Sequence, residues 1–168
     1  TSQKSNTPIG ILAHKTRSDT LEHSEMLFMG GSYLPENGTK EGVYLKMHGR
    51  KLYQYALNHV PGAIQACLHK SGIPLREIKK VLIHQANGKM DDAILNRLYK
   101  LEDDLSVPVD VMPMTISWLG NSSVATIPTL LDLILKNELD GHQIKKGDKI
   151  IFASVGAGMN INAMVYQA

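Results

Sequence analysis

A chain of 168 residues, 43% hydrophobic and 20% charged, has the length and composition of one globular domain with a real core, not of a disordered or fibrous protein. Its formal charge of +2, with no run of five like charges, excludes a charge-driven nucleic-acid binder and leaves only a local patch to attract an acidic partner. The one cysteine, Cys67, excludes an internal disulfide and a cysteine-based zinc site, no apolar run reaches a membrane span, and no charged-then-apolar leader opens the chain.

Residues 8–14, PIGILAH, predict a short buried strand. Residues 16–42 are polar and rich in turn signals (Gly30-Gly31, Pro35, Asn37-Gly38), which predicts mostly loop. From Lys46 to Ser71, Leu52, Tyr55, Ala56, His59, Ala63 and Cys67 recur at helical steps, with Pro61 expected to kink or split the helix and Gly72 to stop it. Pro74 opens one helical turn, PLREIKK. VLIHQA predicts a strand, and GKMDDAILNRLYKLE an amphipathic helix. VPVDVMPMT predicts a second strand, broken by two prolines. GNSSVATIPTLLDLILKNEL reads as a buried helix started by the Asn121-Ser-Ser cluster, with Pro128 bending it or marking its real start. The last segment, around GAG, predicts two paired strands. Strands and helices alternate, as in an α/β fold with a mixed, mostly parallel sheet covered by helices.

Chemistry concentrates at few positions. His84 ends a buried strand, where crevices form in α/β sheets, and its imidazole can move a proton or offer an N–H to an oxyanion. The plainer reading is a histidine bound to a neighbouring carbonyl. Asn121 precedes an apolar helix: it serves as a helix N-cap, or as a fixed donor in the positive field of the helix end. Gly156 and Gly158 flank Ala157 in a tight turn that could also expose a backbone N–H. Cys67 sits at helical spacing among apolar residues and reads as a buried structural thiol. Lys89 and Arg97, eight apart on the helix after His84, share a side and could draw an acidic partner. The seven histidines are too scattered to suggest a metal site.

The order of these signals matters more than any one of them. IHQANGKM, then WLGNSSVATIPTLLD, then IIFASVGAGMNINAMVY resembles β-ketoacyl-acyl-carrier-protein synthase III, with GILAHKTRSD and YLKMHGRKLYQYAL similar to earlier segments of that family. The resemblance implies a thiolase-like fold, two similar α/β halves stacked as an αβαβα sandwich. It covers only the second half, so residues 1–168 would be a C-terminal domain whose catalytic-cysteine half is absent, inactive alone. It implies that His84 and Asn121 hold the thioester carbonyl of malonyl-acyl carrier protein and stabilise the enolate left by decarboxylation, both as neutral donors. It places Asn87 and Gly49 along the pantetheine tunnel, the backbone N–H of Ala157 in an oxyanion hole, and Lys89 and Arg97 in docking acyl carrier protein. Acyl-CoA and malonyl-acyl carrier protein would be the substrates in fatty-acid synthesis, with no cofactor, a homodimeric full-length protein, a cytoplasmic location, and no nucleic acid or membrane. The alternatives are another thiolase-fold condensing enzyme of secondary metabolism and a non-catalytic subunit of a synthase.

Overall fold

A computed structural model of the chain describes residues 9–34, 42–102 and 106–168. The first residue of the expected strand, Pro8, and the turn signals at Pro35 and Asn37-Gly38 lie outside the described residues. Strand β1 (Gly10–Ser18) begins and ends later than expected. A short helix α1 (Thr20–His23) follows, and β2 (Leu27–Gly30) pairs antiparallel with β3 (Tyr44–Met47). The stretch expected to be mostly loop thus holds α1 and the first strand of this pair, and the second strand follows just after it. These four-residue strands are too short to show alternation above the turn signals.

Helix α2 (Gly49–Ser71) is continuous, and Gly72 ends it with φ +69. Pro61 lies inside it, buried, without splitting it. Proline has no N–H to give the carbonyl four residues back, which is that of Leu57. The Arg97 Nη1 donates to that carbonyl at 3.0 Å and to Asn58 Oδ1 at 2.8 Å. A neighbouring helix therefore supplies the donor that the proline withholds.

After a helical turn at Leu75–Glu77 comes β4 (Ile78–Ile83), then α3 (Gly88–Leu101). The expected strand VPVDVMPMT does not form. Asp110 turns the backbone to φ +63, Pro108 and Pro113 lack donors, and the segment touches the β4 edge through Val81 N–H to Val111 O at 2.8 Å. A short helix α4 (Ile116–Leu119) leads to α5 (Thr126–Leu135), and β5 (Lys149–Gly156) and β6 (Asn160–Gln167) form the expected hairpin.

The main sheet runs β1-β6-β5-β4. Only β4 with β5 is parallel, while β5 with β6 and β6 with β1 are antiparallel. The sheet is mixed, not mostly parallel, because the tight turn after β5 can only reverse direction. Period-two alternation divides its side chains between two cores. Val81, Ile83 and Ile151 face α2 and α3, packing with Ile64, Leu68 and Leu98. Leu82 and Ile150 face α5, packing with Leu130 and Ile134. The result is three layers, with two helices on one sheet face and one on the other.

Helix α5 is apolar nearly all round, yet only Thr126, Leu130 and Ile134 are buried. Val124 just before it is 89% exposed, and Leu135 at its end 60%. The expectation that its apolar character would bury it throughout holds for one face only.

Candidate functional site

The carboxyl end of β4 gathers the polar residues. His84 N–H continues the ladder to Ala153 O at 3.0 Å. The half-buried ring sits with Nδ1 3.2 Å from Ser123 O. A carbonyl only accepts, so Nδ1 carries the proton and a neutral His84 presents a bare Nε2. Burial holds its pKa below the ordinary imidazole range, against the Ser123 carbonyl, which favours the charged ring. In this arrangement the neutral ring is a carbonyl-bound histidine with an acceptor at Nε2, whereas the expectation was a neutral donor.

Asn121 meets the same residue from the other side: its Oδ1 accepts from Ser123 N–H at 2.9 Å. That leaves the Asn121 amide N–H groups as donors. The asparagine does not cap α5, which starts five residues later, after a turn at Ser123–Ala125. The dipole of α5 therefore does not act on it directly. Ser123 holds φ +54, unusual for a side chain larger than glycine, and binds both candidate groups through its backbone.

Gln85, overlooked in the sequence, explains how this segment is held. It is wholly buried, donates from Nε2 to Pro113 O at 2.8 Å, and accepts at Oε1 from Thr115 N–H (2.9 Å) and Ile116 N–H (3.1 Å). One side chain thus fastens the chain leading to Asn121 beside His84. The available signal was a long polar residue directly after an apolar strand, in a place where burial demands full pairing.

The remaining candidates are spread around this centre. Asn87 is the N-cap of α3, with Oδ1 accepting from Lys89 N–H (3.0 Å) and Met90 N–H (3.4 Å). Gly49 is exposed at the start of α2, and an added Cβ would meet only Met47 Cε at 3.9 Å, so packing within the chain does not require glycine there. Lys89 is exposed in the first turn of α3, whereas Arg97 is engaged with α2. Arg97→Ala should therefore lower stability by about 1–3 kcal/mol, the consequence of leaving the Leu57 carbonyl without a donor. Urea titration of the variant checks this; an unchanged midpoint would show that water replaces the guanidinium.

Ala157 opens an exposed turn between β5 and β6 whose three carbonyls are all held. Asn160 Nδ2 donates to Ala157 O at 2.9 Å, Thr20 Oγ1 to Gly158 O at 2.6 Å, and Asp19 N–H to Met159 O at 3.2 Å. The Tyr55 hydroxyl lies 3.1 Å from Met159 O and 2.7 Å from Asp19 Oδ2, and burial with that carboxylate raises its pKa to about 12. Gly158 has φ +72, and a Cβ there would lie 2.7 Å from Asn160 Nδ2. This turn needs its glycine.

Cys67 is the expected buried thiol, with Sγ 3.5 Å from Ala163 O and its pKa pushed up by burial. That is the reverse of nucleophilic activation. Among the described residues no group of three or more His, Cys, Asp or Glu side chains is placed to hold a metal. No helix among them is long and apolar enough to cross a membrane. Asp91, in the first turn of α3, is wholly buried, and neither carboxylate oxygen has a partner among the described residues. Burial, with Asp92 adding a like charge, raises its pKa to about 7.

Comparison with known proteins places this arrangement. The fold is that of thiolase-like α/β proteins. A crystal structure of 3-oxoacyl-[acyl-carrier-protein] synthase III from Aquifex aeolicus VF5 superposes with a TM-score of 0.77 at 25% identity, covering 99% of this chain and 47% of that one. A β-ketoacyl-[acyl-carrier-protein] synthase III structure from Thermus thermophilus gives 0.80 at 24% identity, covering 98% and 48%. The β-ketoacyl-[acyl-carrier-protein] synthase III of Acaryochloris marina is 34% identical over 134 residues, 79% of this chain and 37% of that protein. The sequence pattern described as 3-oxoacyl-[acyl-carrier-protein (ACP)] synthase III C terminal matches residues 68–168, and the chain belongs to that family. It spans about a third to a half of the length of the curated relatives it matches.

Proposed function

We propose that residues 1–168 form the C-terminal half of a condensing enzyme that joins an acyl thioester to malonyl-acyl carrier protein, with loss of carbon dioxide, in fatty-acid synthesis. The observation that carries this reading is the family match over residues 68–168. The attachment of His84 and Asn121 to the two backbone groups of one residue, Ser123, supports placing the chemistry there. The exposed apolar side of α5 supports a missing layer over it, supplied by the first half of the protein.

In the proposed reaction the bond between C2 of the malonyl group and its carboxylate breaks. Carbon dioxide leaves, and the electron pair moves onto the thioester oxygen as an enolate. Asn121 offers that oxygen an amide N–H. His84 can offer Nε2–H only when its ring is charged or when Ser123 gives up Nδ1. Growing negative charge on the oxygen favours the charged ring, so His84 binds the enolate better than the starting thioester, which is the difference that lowers a barrier. The enolate carbon then attacks the acyl group on a cysteine of the other half, and the cysteine thiolate leaves. The Ala157 N–H assists the tetrahedral oxygen of that step. Asn87 and Gly49 contact the pantetheine arm, and Lys89 is the principal docking cation, because Arg97 is already committed to α2. The full-length protein is a cytoplasmic homodimer that uses acyl-CoA as primer and no cofactor.

The full-length protein, given acyl-CoA and malonyl-acyl carrier protein, should release carbon dioxide and form a 3-oxoacyl product. Residues 1–168 alone should do neither. Product mass spectrometry checks both, and a full-length protein that forms no 3-oxoacyl product would overturn the reading.

A further inference from the structure

We propose that the cavity at the start of β4, at the opposite end of that strand from His84, is a binding site for a small phosphate-class oxyanion. The cavity holds about 310 Å³ and is lined by Lys79, Lys80, Asp140, His142 and Lys145, among others. Lys80 is the central residue. It is only 4% exposed, and its ammonium donates to Asp110 O at 2.6 Å and lies 2.9 Å from His142 Nδ1. Neither partner carries a negative charge, and among the described residues no carboxylate forms an ion pair with Lys80.

A buried ammonium without a counter-ion is costly, and natural proteins resolve it by neutralising the group or by pairing it. Burial and the neighbouring Lys79 already weaken the hold of Lys80 on its proton. An anion in the adjoining cavity is the pairing partner that the described residues do not supply at contact distance. The donor chemistry fits. Two of the three Lys80 protons are used, leaving one donor. A charged Lys80 makes His142 Nδ1 an acceptor, so the His142 proton sits on Nε2 as a further donor. Lys79 and Lys145 bring two more ammonium groups to the rim. Opposing them are the Asp140 carboxylate and the carboxyl-terminal end of α5, reached through Asn137 and Leu139 on the cavity wall. The carboxylates of Asp110 and Asp148 also act on Lys80 but lie off the cavity wall; on the wall itself three ammonium groups and an imidazole N–H outweigh the Asp140 carboxylate and a partial helix charge. Phosphate, with several acceptor oxygens and a double charge, meets such a donor set better than a monovalent ion.

The test uses the full-length protein and calorimetric titration with inorganic phosphate in chloride buffer, so it does not depend on the reading of the catalytic site. Saturable binding is expected. Lys80→Met keeps the buried stem without the charge and should weaken binding at least tenfold, whereas Asp140→Asn should tighten it. If Lys80→Met fails to fold, Lys79→Ala with Lys145→Ala, both on exposed side chains, should still weaken binding severalfold. Pyrophosphate and a nucleoside monophosphate, titrated in parallel, distinguish free phosphate from one carried on a larger ligand. No saturation by about 10 mM phosphate, or affinity unchanged in these variants, overturns the proposal.

Discussion

Replacing His84 or Asn121 with alanine in the full-length protein is expected to slow decarboxylation of a malonyl thioester by about 10²–10³-fold each, the usual consequence of losing one oxyanion donor. Self-acylation from acyl-CoA should survive, because the proposed reaction places it at a cysteine of the other half. The double variant should lose less than the product of the two, since both groups share Ser123 and are proposed to serve one oxygen. His84→Gln separates two versions of the histidine role. Glutamine supplies a neutral N–H, so partial recovery over alanine would indicate donation alone, whereas none would indicate that the charged ring is needed. The rate of ¹⁴CO₂ release from labelled substrate measures all four variants. Wild-type release from both alanine variants would remove the proposed roles.

The second large effect concerns stability. An unfolded aspartate titrates near 4, whereas the buried Asp91 titrates at about 7. Between these values the folded chain binds a proton that the unfolded chain has released, so stability falls as pH rises across this window and stays low above it. The loss is on the order of 2–4 kcal/mol. Asp91→Asn keeps the shape without the titration, so it should be nearly neutral at pH 4.5 and stabilising by about that amount at pH 8. Urea denaturation at the two pH values checks this. A wild-type chain equally stable at both would show that Asp91 acquires a partner not present among the described residues.

Much of the scaffold was legible because local chemistry and tertiary context agree. Helix α3 shows its apolar stripe in sequence, through Met90, Ile94 and Leu98, whereas the capping role of Asn87 was not read there. Gly72 ends α2 as its type suggests, and the β5–β6 turn follows from its glycines. The β2–β3 hairpin was not legible, since four-residue strands carry too little periodicity. Pro61 misled for a different reason: the donor that compensates for it, Arg97, is 36 residues away and meets it only across a helix pair. The same contact weakens the reading of Arg97 as a freely offered docking charge.

For the candidate site, sequence order located His84 at the end of its strand but set Asn121 at the start of the helix, whereas α5 begins five residues later. It could not indicate that both would fasten on Ser123, nor which ring nitrogen of His84 would carry the proton. Those depend on Gln85 pulling the 113–116 segment against β4.

The sequence by itself determined the order of the longer elements (β1, α2, β4, α3, α5, β5 and β6), the family, and the residue types available for chemistry, because periodicity, caps and turns act over a few residues. Only the tertiary structure decided the antiparallel pairing of β6 with both β5 and β1, the single buried face of α5, the orientation of His84 and the joining of Lys80 to His142. Each of these depends on groups distant in the chain finding one another once water is excluded, and unpaired polar groups are then penalised by burial.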